Sequence, residues 1–405
     1  MLDENRLILF ITAFLAILVI RKSRFKIVRP DVYLSLMAFI SFILPQLYIT
    51  DSVHWQTSFT FFIGFIAFNI PFLFKTRTSQ KYKRIFNIDY TIKPRLKIFS
   101  KFYLPIVLLI LYFSTFFRIK YSVGLPGYKP NIQYAGIYYY FLTTGIFVLI
   151  SSYFLFVQKS GKGKILFIIM LFLYAIYQSI LGWRQGVFDI IILLTILTFS
   201  LQIKLKNSFK IFTSLILFAS IFITVYLRNM SRGSNKSLID IWDRLFGVKY
   251  LDSVVGYFVK NTNHDIWFNN FFFTKLNQMN ISTADFHNHV ILGGSVDFIN
   301  GSARTGFGTI YMLFGLSGVF VVFLLLGIYY KKLYYYYTEL KFNAFISIFY
   351  GFNFIILQRI IVEQFDIGVI IHLIAFTFFT FLIYKLFNLI GLKNKSHAPT
   401  TRRHI

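Results

Sequence analysis

The stretch 305–330, TGFGTIYMLFGLSGVFVVFLLLGIYY, contains no charged residue and is followed at once by Lys331 and Lys332. A helix of about 20 apolar residues spans the ~30 Å hydrocarbon core of a bilayer. Similar runs recur along the chain, which is 57% hydrophobic and 14% charged, with a mean hydropathy of +0.64. Because backbone groups in lipid must be hydrogen-bonded within the segment, these spans must be helices. The sequence therefore predicts an all-α, polytopic membrane protein.

The apolar runs predict about 11 transmembrane helices within a single polytopic membrane domain, residues 1–405. The predicted spans are 7–20, 32–49, 59–74, 102–117, 135–157, 165–181, 187–201, 211–227, 305–330, 342–357 and 365–387. The connections between them are short, except for one large polar loop at 227–304. In a polytopic protein with one such loop, we expect the loop to contribute to the functional site.

The distribution of basic residues predicts the orientation of the spans. Loops on one side, together with the C-terminal tail, hold 28 lysines and arginines, whereas the short segments on the other side hold 6. The positive-inside rule makes the first side cytoplasmic, so the N-terminus and the loop 227–304 are predicted outside and the C-terminus inside. The net charge of +27 then reflects membrane topology, and a nucleic-acid partner is not expected. The absence of cysteine excludes disulfides and thiolate metal sites.

Five of the arginines on the predicted external side, which is poor in basic residues, lie near the ends of the sixth to tenth predicted spans: Arg184, Arg228, Arg232, Arg304 and Arg359. Arginine is favoured where a planar, forked donor must hold a phosphate at two points. Ionisable groups near the membrane interior are costly and therefore indicate function. For a single arginine, a side chain that reaches the interface or balances a nearby acid is an equally good interpretation. Five together favour a bound anion.

Histidines and carboxylates on the same side are candidates for a general base that takes a proton from a hydroxyl group. The candidates are His264, Asp265, His287, His289 and Glu363. Each histidine alone is more simply a hydrogen-bonded loop residue. His287 and His289 have no third ligand at a metal-binding spacing, so a metal site is not expected.

Glycines are concentrated at the start of the stretch 305–330. Gly306, Gly308, Gly315 and Gly318 are interpreted as small residues that let helices pack closely in the bilayer. A phosphate-binding loop would require a strand–loop–helix context that the sequence does not show.

This layout resembles the Wzy family of O-antigen and capsular oligosaccharide repeat-unit polymerases, which are related to O-antigen ligases. The resemblance covers nearly the whole chain. Locally it rests on GWRQG at 182–186, SRG at 231–233, and the glycine-rich run 293–318 that contains YMLFG at 311–315. The ligase branch has a histidine motif with a glycine at fixed spacing, but Phe298 occupies that position here, which argues against a ligase.

The resemblance implies a type C glycosyltransferase fold in the bacterial cytoplasmic (inner) membrane. It implies that the growing glycan leaves undecaprenyl diphosphate and is transferred to a hydroxyl of the next lipid-linked repeat unit, without metal or cofactor. Arg184, Arg232 and Arg359 would hold the diphosphate, with Arg228 and Arg304 as further candidates. The base remains unassigned among the five residues named above. The implied partners are the undecaprenyl diphosphate-linked oligosaccharide, the bilayer and a chain-length regulator protein.

Three other functions fit parts of the pattern. The first is an O-antigen ligase or another polyprenol-sugar-dependent glycosyltransferase. The second is a polysaccharide flippase or transporter, for which broken helices near the middle of the membrane would be typical. The third is a membrane acyltransferase, for which His372 is the only histidine within a predicted span and has no obvious partner.

Overall fold

The structure is a computed structural model that describes residues 4–24, 26, 28–48, 53–74, 192, 195–196, 248–260, 305–339, 344–362 and 378. The chain divides into two compact units. The first comprises Met1–Thr78, Ser234–Glu339 and Phe352–Leu373, and the second Ser79–Gly233, Leu340–Gly351 and Ile374–Ile405. In the second unit the described residues are 344–351 and a few single positions. The predicted spans 102–117, 135–157, 165–181 and 211–227 lie outside the described residues, as do most of 187–201 and 365–387.

All regular structure in the described ranges is helical, which confirms the predicted helical class for this part of the chain. The elements are α1 (Glu4–Lys22), α2 (Pro30–Ala38), a π-helical turn (Phe39–Ile43), α3 (Leu44–Tyr48), α4 (Trp55–Leu73), α5 (Val248–Lys260), α6 (Gly306–Glu339) and α7 (Ala344–Val362). By length and composition, α4 and α6 are apolar enough to cross a membrane. A membrane protein is therefore plausible, and the number of spans rests on the sequence.

Five predicted spans fall on described helices, with shifted ends. The span 32–49 is built as α2, the π-helical turn and α3 in succession, and 342–357 extends to Val362 in α7. The span 305–330 corresponds to α6, which continues to Glu339, so the predicted cytoplasmic loop 331–341 is helical over most of its length. Hydropathy marks where apolar residues end, whereas a helix continues until its backbone is capped.

The helix starts at α2 and α4 follow local chemistry. Arg29 is extended before Pro30, whose fixed φ and missing N–H suit the first turn of a helix. His54 precedes α4 in an extended conformation, and its Nδ1 accepts a hydrogen bond from the Gln56 N–H. Pro71 lies in the last turn of α4, where the helix ends at Leu73.

Helices α4 and α6 pack closely because glycines face the partner helix. A Cβ atom at Gly64 would lie 2.6 Å from a ring carbon of Phe307 and 3.0 Å from Val319. Further along, a Cβ at Gly327 would meet the carbonyl oxygen of Phe68. The contacts advance along both helices in the same direction, so α4 and the later part of α6 run parallel. Small residues at such crossings are typical of helix packing in bilayers.

Helix α6 is broken at Gly315, which has φ 65° and ψ −164°. Phe307 lies eight residues before the break and Phe323 eight residues after it, yet their rings stack with centroids 4.0 Å apart. In a straight helix, residues 16 positions apart are ~24 Å apart. The segment 306–314, the short arm of α6, therefore folds back against the segment 316–339, the long arm.

This break corrects the prediction of one continuous span and the interpretation of its glycines. Gly306 does serve close packing, because a Cβ there would meet the carbonyl oxygen of Ile360. Gly315 has a different role, since its backbone conformation is essentially confined to glycine. Gly318 leaves room for the side chain of Phe314 beside the turn.

Helix α5 is an amphipathic helix within the predicted external loop. Its buried face includes Val254 and Phe258, which pack on Met312 and Leu313 of the short arm of α6. The buried positions Val248, Leu251, Val254, Val255 and Phe258 recur at three- and four-residue intervals, as expected of one helical face. Part of the loop is thus a helix packed on α6, a feature that our sequence analysis did not predict.

Candidate functional site

Arg359 is the predicted site residue that the structure describes, and it lies in the last turn of α7. Only 4% of its surface is exposed, and the preceding residue, Gln358, is 6% exposed. The sequence placed Arg359 after a span ending at 357. The helix instead continues past it to Val362, so the guanidinium belongs to the buried part of the helix rather than to an external loop.

The start of α6 lies directly against this end of α7. Thr305 is fully buried, with φ 50°, and its side-chain oxygen accepts a hydrogen bond of 3.1 Å from the Gly308 N–H. The backbone carbonyl of Thr305 accepts from the N–H of Thr309 at 3.0 Å. Thr305 is therefore the N-cap of the short arm, and Gly306 after it contacts the Ile360 carbonyl, one residue from Arg359.

Contacts of neighbouring residues show at which position along α4 this junction lies. Phe307, next to Gly306, packs on Gly64, the midpoint of α4. At the midpoint of α7, the carbonyl of Asn353 accepts a 2.7 Å hydrogen bond from the Tyr330 hydroxyl. The junction of Arg359 with the start of α6 thus lies level with the middle of α4.

Two positive features are close along the helices at this junction, because Gly306 contacts the carbonyl of Ile360, the residue after Arg359. The N-terminus of a helix carries a partial positive charge from its aligned peptide dipoles, and Arg359 carries a full positive charge. Both are well suited to an anion, and the forked guanidinium suits a phosphate in particular. The arrangement can bind negative charge and stabilise charge that develops on a departing phosphate.

The other nine predicted site residues lie outside the described residues: Arg184, Arg228, Arg232, Arg304, His264, Asp265, His287, His289 and Glu363. Two of them are close in sequence to the junction, since Arg304 precedes Thr305 and Glu363 follows Arg359 by four positions. Whether the arginines converge therefore stays a prediction. Among the described residues, no group of three or more His, Asp or Glu side chains is arranged to hold a metal ion.

A second polar cluster joins α5 to the start of α4. One carboxylate oxygen of Asp252 accepts a 2.9 Å hydrogen bond from the His54 N–H and a 2.7 Å bond from the Thr57 hydroxyl. A carboxylate at a helix N-terminus is stabilised by the helix dipole. Asp252 thus caps α4 from the predicted external loop and fixes α5 to the membrane helices.

Sequence reasoning missed Asp252 because its partner His54 is 198 positions away. The amphipathic spacing of α5 could have identified the helix, but no pattern in one sequence pairs it with α4.

No family model matches the chain, and no similar curated protein or solved structure was found. The fold and site therefore have to be interpreted from their own chemistry.

Proposed function

We propose that the chain is a membrane-embedded polymerase of surface polysaccharide repeat units, of the kind that the Wzy family represents. The observation that carries the proposal is the buried Arg359 beside the N-terminus of the short arm of α6. An ionisable residue buried in an apolar helical protein is costly and therefore indicates function, and a forked guanidinium suits a phosphate-bearing ligand. The five-arginine pattern on the predicted external side points to the same ligand class.

In the proposed reaction, the bond between the anomeric carbon of the growing glycan and the phosphate oxygen of undecaprenyl diphosphate breaks. A hydroxyl oxygen of the next lipid-linked repeat unit forms the new glycosidic bond, and its proton passes to a base. Arg359 stabilises the negative charge that develops on the departing diphosphate, together with Arg184 and Arg232 and with Arg228 and Arg304 as further candidates. The base is one of His264, Asp265, His287, His289 and Glu363.

The direct test replaces Arg359 in cells that make the polysaccharide and measures the size of the lipid-linked glycans. Arg359→Ala should leave the protein in the membrane while glycans collapse to single repeat units, because loss of one charge-stabilising donor slows such steps by about 10²–10³-fold. Arg359→Lys should retain some activity, since it keeps the charge without the fork. Arg6→Ala is the matched control, because Arg6 is an exposed arginine on the same predicted side. Normal chain lengths in Arg359→Ala would refute the assignment.

A transporter of lipid-linked oligosaccharide is the second candidate, and the broken helix α6 favours it. Transporters bind substrates near the middle of the membrane with discontinuous helices, and the short arm of α6 begins level with the middle of α4. Gene deletion separates the two functions. Loss of a polymerase leaves single repeats on the external face of the membrane, where glycosidases added to spheroplasts cleave them. Loss of a transporter leaves them on the cytoplasmic face, where the enzymes do not reach them.

A further inference from the structure

A group of basic residues lies at the C-terminal end of α4. The segment 21–29, from the last turn of α1 to the residue before α2, contains five basic residues, and Arg29 is held in a defined position. Its Nε donates a 2.7 Å hydrogen bond to Asp31, and its guanidinium carbon lies 5.6 Å from the centre of the Phe72 ring. Asp31 is almost fully buried, while a quarter of the Arg29 side chain remains exposed.

Lys331 of α6 reaches the same place from another helix. Its Nζ donates a 2.7 Å hydrogen bond to the carbonyl of Phe74, the residue that follows α4. Lys331 and Arg29 are close enough to repel each other electrostatically, and Tyr334, one turn further along α6, is close to Arg29 and Asp31. Among the residues that the structure describes, two cations thus lie near one carboxylate, that of Asp31.

Within the described part of the chain, both cations keep hydrogen-bond donors beyond those already used. A guanidinium has five N–H donors and an ammonium three, and the hydrogen bonds to Asp31 and Phe74 account for one of each. Beside them, Leu73 and Phe74 are 63% and 67% exposed, although both are apolar. A ligand that fits this surface combines an anionic group with a hydrocarbon chain.

We propose that Arg29 and Lys331 bind the phosphate of an anionic phospholipid headgroup, with the acyl chain packed along Leu73 and Phe74. The site lies on the predicted cytoplasmic side, and basic pockets between helices on that side are suited to anionic headgroups. Arg29 supplies a forked donor and Lys331 a point charge. The inference rests on the membrane placement within the proposed function and is independent of glycosyl transfer.

The experiment measures lipid binding by the full-length protein in neutral detergent, at about 1 M salt, where the Debye length is near 3 Å. Phosphatidylglycerol is the probe, and phosphatidylcholine is the neutral comparison lipid. Arg29→Gln with Lys331→Gln should weaken phosphatidylglycerol binding about 100-fold, from about tenfold for each charge-assisted hydrogen bond lost. The matched control, Arg21→Gln with Lys332→Gln, removes two exposed charges and should bind as the wild type does at this salt.

Each further outcome decides the proposal. Equal binding by the two double variants would overturn it, and so would binding of phosphatidylcholine as tight as that of phosphatidylglycerol. Displacement of the lipid by inorganic phosphate at millimolar concentration would show that the site takes the phosphate group alone, which overturns the lipid assignment. A wild-type protein found in the soluble fraction of cells would instead refute the membrane placement itself.

Two variants guard against loss of folding as the explanation. Arg29→Lys with Lys331→Arg keeps both charges and should bind within threefold of wild type. Asp31→Asn removes the competing carboxylate but keeps an acceptor for the Val32 N–H, which bonds the Asp31 side chain at 3.0 Å. It should bind phosphatidylglycerol more tightly by several-fold, and weaker binding by this variant would contradict the proposal.

Discussion

The fold-back of α6 predicts that two positions far apart along the helix can be linked chemically. The natural chain has no cysteine, so Phe307→Cys with Phe323→Cys introduces the only two thiols. The native rings stack with centroids 4.0 Å apart, whereas a straight helix would separate these positions by ~24 Å. A bismaleimide reagent much shorter than that distance should therefore join the two thiols in native membranes, and mass spectrometry of the digested protein should identify the linked peptides.

The matched control uses the same separation of 16 positions within the long arm. Phe323→Cys with Glu339→Cys places the thiols ~24 Å apart, because α6 has no non-helical backbone after Gly315. Both pairs contain Phe323→Cys, so the cavity that it leaves affects them equally. Efficient linking of the first pair alone is the expected result. Equal linking of the two pairs, or no linking of 307 to 323 in protein that remains folded by gel filtration, would refute the fold-back.

Three further predictions concern stability, measured on the purified protein in one detergent. Gly315→Ala should lower the free energy of unfolding by about 1–3 kcal/mol because alanine is strained at φ 65°. Gly256→Ala on α5, where a Cβ meets nothing within 4 Å, should raise the free energy of unfolding by up to about 1 kcal/mol. A shift of the same sign in both variants would contradict this prediction. Asp252→Ala should lower the free energy of unfolding by about 2 kcal/mol, because it removes the acceptor of two hydrogen bonds, and Thr57→Val should lower it by about 1 kcal/mol, because it removes one of them. An unchanged free energy of unfolding in Asp252→Ala would show that the cap contributes nothing. Burial raises the pKa of Asp31 above its ordinary value of 3.8 despite the opposing charge of Arg29. The contribution of Asp31 to stability is therefore complete below pH 3.8 and is lost as the pH rises through the raised pKa. Asp31→Asn should remove this pH dependence of the free energy of unfolding, and a pH profile identical to that of the wild type would contradict the prediction.

The helices that hydropathy can detect were predictable, because a run of apolar residues of spanning length has few alternatives. The break in α6 was not, since averaging over the stretch 305–330 treats Gly315 as one more small residue, while its effect depends on the sign of φ. The burial of Arg359 was missed for a related reason. A charged residue ends a hydrophobic run on any scale, but the helix continues past it when the surrounding packing supports it. Long-range pairs such as Asp252 with His54 leave no local pattern at all.

The depth of Arg359 constrains how either candidate function could operate. If α4 crosses the membrane with Trp55 outside, the middle of the helix lies about 14 Å from that end. A diphosphate headgroup normally resides at the membrane surface, so it must move inward to reach Arg359. A polymerase then has to admit the acceptor hydroxyl to the same depth, whereas a transporter has to open the junction to the other side.

The short arm of α6 adjoins this junction, and so does α5, which packs on the short arm. Movement of the short arm about Gly315 would therefore control access in either case. Restraining the arm by the 307–323 cross-link should therefore stop chain extension or transport while leaving substrate that is already bound in place.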